Sequence, residues 1–362
     1  MIQIRVGILT FHNSRNYGAV LQAYALQKKM EELFQTVEII DYRNPKIEEE
    51  LRIWTGKMRG KKSFYYSVLA ALYRLRKKIS FDWFIFKQMK KTIKIDKDRL
   101  DVFSEKYNLL VTGSDQVWNI GLTGNDKTYF LDFALGNSYK IAYAASFGDG
   151  ELELDNATEK LLHDFQMITL RESIGREKLQ ILLDKDISVC CDPTLLLGKD
   201  IWKKMASHRL RKGKYIFLFI IDESQELTEY AQRLAEEKGL TVVSNKSDIR
   251  FIIHPSPKDF LSWIRDAEYV VTNSFHGTIF SLLFEKKFVS LRYTQGGGSK
   301  VRIMELLNRL DLGHRFVDDS NLDIDQKEDW ELIESKLSKM STESWELMLD
   351  WARTFWGGDM DA

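Results

Sequence analysis

The sequence holds two cysteines in 362 residues, and these two, Cys190 and Cys191, are neighbours. Adjacent residues do not suit disulfide geometry, and the chain offers no third thiol. A disulfide-stapled secreted scaffold is excluded, and a reducing compartment is expected. No Cys/His spacing of the zinc-site kind occurs. Net charge is also lacking: 53 Lys and Arg balance 53 Asp and Glu. The whole chain is therefore no electrostatic binder of nucleic acid. Long apolar runs are missing too. The longest, Tyr215 to Ile221, is far too short to span a bilayer. The first residues, MIQIRVGILTF, lack the basic-then-apolar design of a signal peptide. These absences predict a cytoplasmic protein. There is no short-period repeat and no low-complexity tract.

The balanced charge conceals an asymmetry. Residues 52–99 hold fifteen Lys/Arg against three Asp/Glu, and residues 318–362 hold thirteen Asp/Glu against four Lys/Arg. The two segments could attract each other, or the basic one could face an anionic partner.

The length suggests two domains, and the pattern supports this. Arg5 to Leu9 reads as a buried strand, Gly18 to Phe34 as a helix and Val37 to Ile40 as a second strand ending at Asp41. Strand, helix and strand in about forty residues predict a parallel sheet. Residues 45–100 break the rhythm with basic and aromatic side chains and read as a helical insertion. Strand-like segments resume at 109–112, 141–145, 167–170 and 187–190. A linker falls at 192–199, where Pro193 and Gly198 punctuate the chain. The alternation then restarts with strands at 215–221, 241–244, 269–272 and 288–291. Helices are expected at 224–238, 257–268, 277–285 and 301–310. Residues 294–299, with three successive glycines, read as a flexible loop, and a helical tail begins near Asp329. The expected organisation is an α/β fold of two Rossmann-like doubly wound domains facing a cleft. Residues 1–197 form the N-terminal domain, with the insertion 45–100, and residues 198–328 the C-terminal one. The tail covers 329–362.

The densest signal is Tyr269-Val270-Val271-Thr272-Asn273-Ser274-Phe275-His276-Gly277. A strand stops at a short polar loop, and Gly277 opens an apolar helical pattern. Such a turn presents unpaired backbone N–H groups and a positive helix end, a natural seat for phosphate or carboxylate. Upstream, Ser256-Pro257-Lys258-Asp259 reads as an N-cap, a first-turn proline and a capping-box acid.

SPKDFLSWIRDAEYVVTNSFHGTIFSLLF resembles the C-terminal signature of the polysaccharide pyruvyl transferase family. GILTFHNSRNYGAVLQAYALQ, VTGSDQVWN, IAYAASFG, ITLRESIG and CDPTLLL agree with it, in the family's order and across most of the chain. The resemblance implies a two-domain arrangement like that of GT-B glycosyltransferases. It also implies transfer of the enolpyruvyl group of phosphoenolpyruvate to a sugar in a polysaccharide precursor, such as an exopolysaccharide or a capsule. Phosphoenolpyruvate is then a co-substrate; no redox cofactor and no metal is implied.

The resemblance assigns donor contacts to Arg171 and His276, and the turn itself adds Asn273, Ser274 and Gly277 as candidate donor contacts through neutral hydrogen bonds and the helix start. His276 would bind or protonate the phosphate, and Arg171 would clamp phosphate or carboxylate in bidentate fashion. The family often has a basic residue where this chain has Ser274, so Arg302 or Lys300 is the expected substitute cation. Asp115 is the candidate base for an acceptor hydroxyl; a turn-capping aspartate is the plainer alternative. Asn13, Asn16 and Gly18 in the first loop are candidate acceptor contacts, and Trp118 could stack on a sugar face or belong to the core. The aromatics of 52–99 are expected to pack a helical hairpin on the N-terminal domain. The alternative is a peripheral contact with an anionic membrane surface or with a lipid-diphosphate-linked acceptor. A sugar-nucleotide glycosyltransferase and a noncatalytic sugar-phosphate binder remain as other readings.

Overall fold

The structure is a computed structural model describing residues 2–50, 61–136, 138–148, 154–221, 223–246, 248–291, 300–317 and 323–356. The glycine-rich loop expected at 294–299 lies outside the described residues. The chain divides into two compact units. One comprises Met1–Glu48, Gln88–Leu197 and Glu334–Ala362; the other comprises Glu49–Lys87 and Gly198–Ile333.

The first unit is built on six strands: β1 (Ile2–Leu9), β2 (Phe34–Ile39), β3 (Leu109–Asp115), β4 (Tyr139–Ala145), β5 (Met167–Leu170) and β6 (Ser188–Val189). They pair in parallel in the order β2-β1-β3-β4-β5-β6. Every residue of β3 is buried, as a parallel strand covered on both faces requires. The helix Tyr17–Met30 crosses from β1 to β2 and starts under a capping Asn16, whose side chain accepts from the Gly18 and Ala19 N–H groups.

The tail helix, Trp330–Trp356, belongs largely to this first unit rather than standing apart. Its Trp356 ring meets Phe34 edge-on at 5.5 Å, and the Ser344 hydroxyl accepts from the Cys191 N–H at 2.9 Å. Trp351 and Trp356 also meet Tyr139, and Trp345 meets Tyr143, so these three tail tryptophans pack against β4 of the sheet.

The second unit holds β7 (Tyr215–Phe219), β8 (Thr241–Ser244), β9 (Tyr269–Thr272), β10 (Lys287–Leu291) and β11 (Phe316–Val317). They pair in parallel in the order β11-β10-β9-β7-β8. All five residues of β7 are buried. Its phenylalanines pack against Phe251, Phe260 and Trp263, with Phe219 and Phe260 centroids 4.8 Å apart. The helix Pro257–Arg265 begins with the expected capping box of Ser256 and Asp259.

The two parallel sheets with their crossover helices are the α/β architecture the sequence predicts. The insertion differs. Lys61–Gln88 forms one long helix, and residues up to Lys87 cluster with the second unit, not the N-terminal one. From Lys90 on the segment returns to the first unit, where Lys90 pairs with Glu31 and Lys91 with Asp41.

In each sheet the strand order reverses once, between β1 and β3 and between β7 and β9. Crevices outside the carboxyl ends of strands at such reversals are where open α/β sheets bind ligands. A threonine hydroxyl bridges both: Thr10 donates to the Ser114 carbonyl at 3.0 Å, and Thr272 to the Phe219 carbonyl at 2.6 Å.

Candidate functional site

In the second unit, β9 ends at Thr272 and the next helix, Phe275–Leu283, begins three residues later. The expected start was Gly277. The helix starts earlier because Ser274 is its N-cap, accepting the Gly277 N–H on its hydroxyl at 3.2 Å. His276 therefore occupies the first turn and is buried. Thr272 Oγ1 accepts the Ser274 N–H at 3.0 Å. Thr278 donates to the Ser274 carbonyl at 3.0 Å. These bonds account for serine at this position: its side chain is buried and committed to its own helix.

Asn273 accepts the Ile221 N–H on its side-chain oxygen at 2.8 Å, joining the ends of β7 and β9. Gly277 is required by space, since a Cβ there would stand 2.6 Å from Thr272 Oγ1. The Gly277 N–H is already used by Ser274, so it is not among the donors the turn can offer an anion.

Two cations belong to this crevice. Arg302, on the helix Lys300–Arg309, is buried with its guanidinium 5.6 Å from the Phe275 ring centroid. The Phe275 and His276 rings meet edge-on at 5.4 Å. Of the two substitutes the sequence suggested, Arg302 is thus brought to the turn. Lys246, which sequence reasoning missed, follows β8 and donates to the Ile221 carbonyl at 2.8 Å. Asn245 beside it bonds both backbone groups of Ile220. The signal was present in the Ser244-Asn245-Lys246 turn after a strand, a position that β/α topology turns toward the ligand crevice.

In the first unit, the structure brings Asp115 and Arg171 together. Asp115 ends β3 with a positive φ of 75°, a conformation aspartate tolerates better than most side chains. Gly113, two residues earlier, has φ of 104°, and a Cβ there would collide with the Tyr143 carbonyl oxygen. Asp115 Oδ1 accepts the Gln116 N–H at 2.9 Å and Arg171 Nη2 at 3.3 Å. Arg171 Nη1 donates to Asp192 Oδ2 at 2.9 Å. The Arg171 side chain is wholly buried. Burial by itself would weaken its hold on the proton, but Asp115, Asp192 and Glu172 outweigh that and keep the guanidinium above its ordinary value.

The sequence placed Arg171 as a clamp on the donor; the structure instead spends its two terminal nitrogens on carboxylates of its own unit. Asp192 also caps the turn Pro193–Leu196, accepting the Thr194 N–H and hydroxyl at 3.0 and 2.7 Å. Among the described residues, no group of three or more His, Cys, Asp or Glu side chains is disposed to hold a metal ion.

The other first-unit candidates have structural partners. Trp118 is core: its indole stacks on Phe130 at 5.3 Å, touches Phe147 and Phe165, and donates to the Tyr129 carbonyl at 3.0 Å. That face is not open to a sugar. Asn16 and Gly18 form the cap already described. Asn13 donates to Glu48 at 2.8 Å and is partly exposed.

Sequence reasoning also missed His12. It is buried just past β1, with Nδ1 3.1 Å from the Thr10 carbonyl and Nε2 3.0 Å from Asp41 Oδ1. Burial raises the Asp41 carboxyl, but His12, Arg43 and Lys91 together hold it well below the usual carboxylate range.

A family model for polysaccharide pyruvyl transferase matches residues 16–295. No curated protein matches the chain. Similar solved structures include the UDP complex of S. aureus MnaA, at 10% identity over 98% of this chain and 97% of that one, with a TM-score of 0.49. A UDP-GlcNAc 2-epimerase from Neisseria meningitidis bound to UDP-GlcNAc has 9% identity, 98% and 100% coverage and a TM-score of 0.45. The E. coli ADP-heptose lps heptosyltransferase II has 10% identity, 94% and 99% coverage and a TM-score of 0.36.

Proposed function

This chain belongs to the polysaccharide pyruvyl transferase family, and from that premise we propose that it moves the enolpyruvyl group of phosphoenolpyruvate onto two hydroxyls of one sugar, forming a ketal and releasing phosphate. The observation that carries the donor assignment is the Ser274-capped turn at the reversal between β7 and β9, with His276 in its first turn and Arg302 against Phe275. A helix start favours negative charge there, and a buried guanidinium adds to that field. Lys246 offers a further, exposed cation.

Protonation of the donor's C3 gives an oxocarbenium-like C2. One sugar hydroxyl attacks C2, the C2–O bond to phosphate breaks, and the second hydroxyl closes the ketal. The two hydroxyl protons balance the one gained at C3 and the one leaving with phosphate. His276 binds the departing phosphate or supplies its proton, and Arg302 offsets its charge. Asp115 takes a hydroxyl proton. Arg171 acts as a positioning residue that holds Asp115, and Asp192 fixes Arg171 in turn. The acceptor is a sugar of a polysaccharide precursor, free or carried on a lipid diphosphate. No step changes an oxidation state, so no redox cofactor enters.

The test is incubation of the purified protein with phosphoenolpyruvate and nucleotide-linked or lipid-linked sugars. Phosphate release matched by an acceptor carrying a pyruvate ketal supports the reading. Nucleotide release without phosphoenolpyruvate consumption would make the protein a glycosyltransferase instead. Binding without either product would leave it a sugar-phosphate binder.

A further inference from the structure

The donor turn makes no use of the long helix Lys61–Gln88. From Leu72 onward its apolar side chains separate into two opposed stripes. Phe81, Phe84 and Ile85 are buried. Leu72, Leu75, Ile79, Trp83 and Phe86 are exposed, Trp83 by 61% and Phe86 by 69%. Intervals of three and four residues place these five on one helical face. A helix that merely solvates its outer side carries charge along that line, and this one carries an indole, a phenyl ring and three branched alkyl groups. Their hydration is unfavourable, and a contiguous exposed stripe of this kind marks an interaction surface.

The edges of the stripe are charged. Arg76 and Lys87 lie on one side, and the Lys78–Asp82 pair on the other. Lys87 Nζ lies over the Trp83 ring, 4.8 Å from its centroid, and 5.6 Å from the centroid of Phe86, so a positive charge accompanies the aromatics. The helix as a whole has seven Lys and Arg against one Asp.

We infer that this face docks on an anionic lipid surface, with the apolar stripe at the headgroup–acyl boundary and the basic flanks on acidic headgroups. The pattern is that of a helix lying in the interface plane. No helix among the described residues is long and apolar enough to cross a membrane, so the contact is peripheral. Charge decides between occupants. A second copy of the helix would set the same positive excess against itself, whereas an acidic bilayer neutralises it. An aqueous polyanion would leave Trp83 and Phe86 in water.

The experiment is flotation of the full chain with vesicles of phosphatidylcholine alone and of phosphatidylcholine mixed with phosphatidylglycerol. The expected result is binding to the mixed vesicles, weakened by salt because exposed charges are screened over about 10 Å at 0.1 M. The Trp83→Ser/Phe86→Ser double variant should lose roughly tenfold or more in vesicle affinity with an unchanged melting temperature, since both side chains are exposed. Lys87→Glu should weaken binding to the mixed vesicles. Absence of wild-type binding would overturn the inference. So would equal binding to both vesicle types, or a double variant that binds normally. If the double variant instead changes the oligomeric state of a chain that ignores vesicles, the face is a contact between copies. Vesicle binding is read without donor or acceptor, so it stands or falls apart from the reaction.

Discussion

Thr272 Oγ1 stands where a side chain on Gly277 would have to go: a Cβ at that glycine would lie 2.6 Å from it. Thr272 cannot readily yield, because its hydroxyl donates to the Phe219 carbonyl and accepts the Ser274 N–H. Closure of the strand end, the cap and the helix start therefore converge on one hydroxyl. Gly277→Ala should destabilise the protein by about 1–3 kcal/mol through overpacking and weaken phosphoenolpyruvate binding by displacing the turn. Urea denaturation and donor calorimetry check both; a variant as stable as wild type would show that the turn has room.

Ser274→Arg would place at this position the basic residue that the family resemblance leads one to expect, and on the sequence alone it would be tolerated. The structure reverses that expectation. The hydroxyl caps Gly277, and the side chain is buried. Loss of the cap alone costs about 1 kcal/mol, and Ser274→Ala measures that part. Ser274→Arg should be less stable than Ser274→Ala and bind phosphoenolpyruvate no more tightly than wild type. Tighter donor binding by Ser274→Arg would mean that the position faces the phosphate after all.

His276→Ala should lower turnover by about 10²–10⁴-fold, the usual contribution of a general acid or base, while circular dichroism stays native. The ring lies in the first turn of a capped helix, and its neighbour Phe275 carries the Arg302 contact. Near-normal turnover by a folded variant would remove His276 from the mechanism.

Arg171→Lys separates clamp from organiser. A lysine has one nitrogen and cannot reach both Asp115 and Asp192 in the planar manner of Arg171. Breaking a buried ion pair costs about 3–5 kcal/mol, so a clear loss of stability is expected. Turnover should fall with donor affinity little changed, because the guanidinium serves Asp115. Unchanged stability with a large loss of phosphoenolpyruvate affinity would restore the clamp reading.

The fifth prediction concerns acid. Asp41 is held below its ordinary carboxylate value by His12, Arg43 and Lys91 against the opposing effect of burial. The unfolded chain binds that proton near pH ~3.9. A depressed folded value means that the stabilisation is fully present above the unfolded pKa and is lost as pH falls from there toward the folded one. Asp41→Asn should be less stable than wild type at neutral pH by on the order of 3 kcal/mol, and the gap should narrow below about pH 4. Denaturation midpoints across that range give the answer, and a gap independent of pH would show that the carboxylate's charge is not what stabilises.

Much of the architecture was legible because parallel strands advertise themselves. Tyr215–Phe219 is a continuous apolar run, Tyr269–Thr272 is apolar up to its final threonine, and both sit buried in the second sheet. The capping box at Ser256 and Asp259 was equally plain, since a helix start depends on residues three apart. The turn at His276 was found for the same local reason. The start of its helix was misplaced by two residues, because a serine ahead of an apolar run can be loop or cap until Gly277 donates to it.

What lay beyond the sequence was the choice of partner for side chains that could serve several. Arg171 meets Asp115 across 56 residues and Asp192 across 21. His12 meets Asp41 across 29. Periodicity carries no record of such separations. Trp118 reads as a sugar platform or a core residue with equal ease, and only its stacking on Phe130 puts it inside. The sequence by itself determined the two parallel sheets, the capping box at Ser256 and the family to which the chain belongs. Each of these follows from the order of apolar groups, hydroxyls and glycines along a short stretch. Tertiary structure alone decided that the buried arginine would face its own unit's carboxylates and that Trp83 and Phe86 would be exposed on the outer face of their helix. A charge and an aromatic ring take their energies from whatever surrounds them in space, and that environment exists only once distant strands have paired.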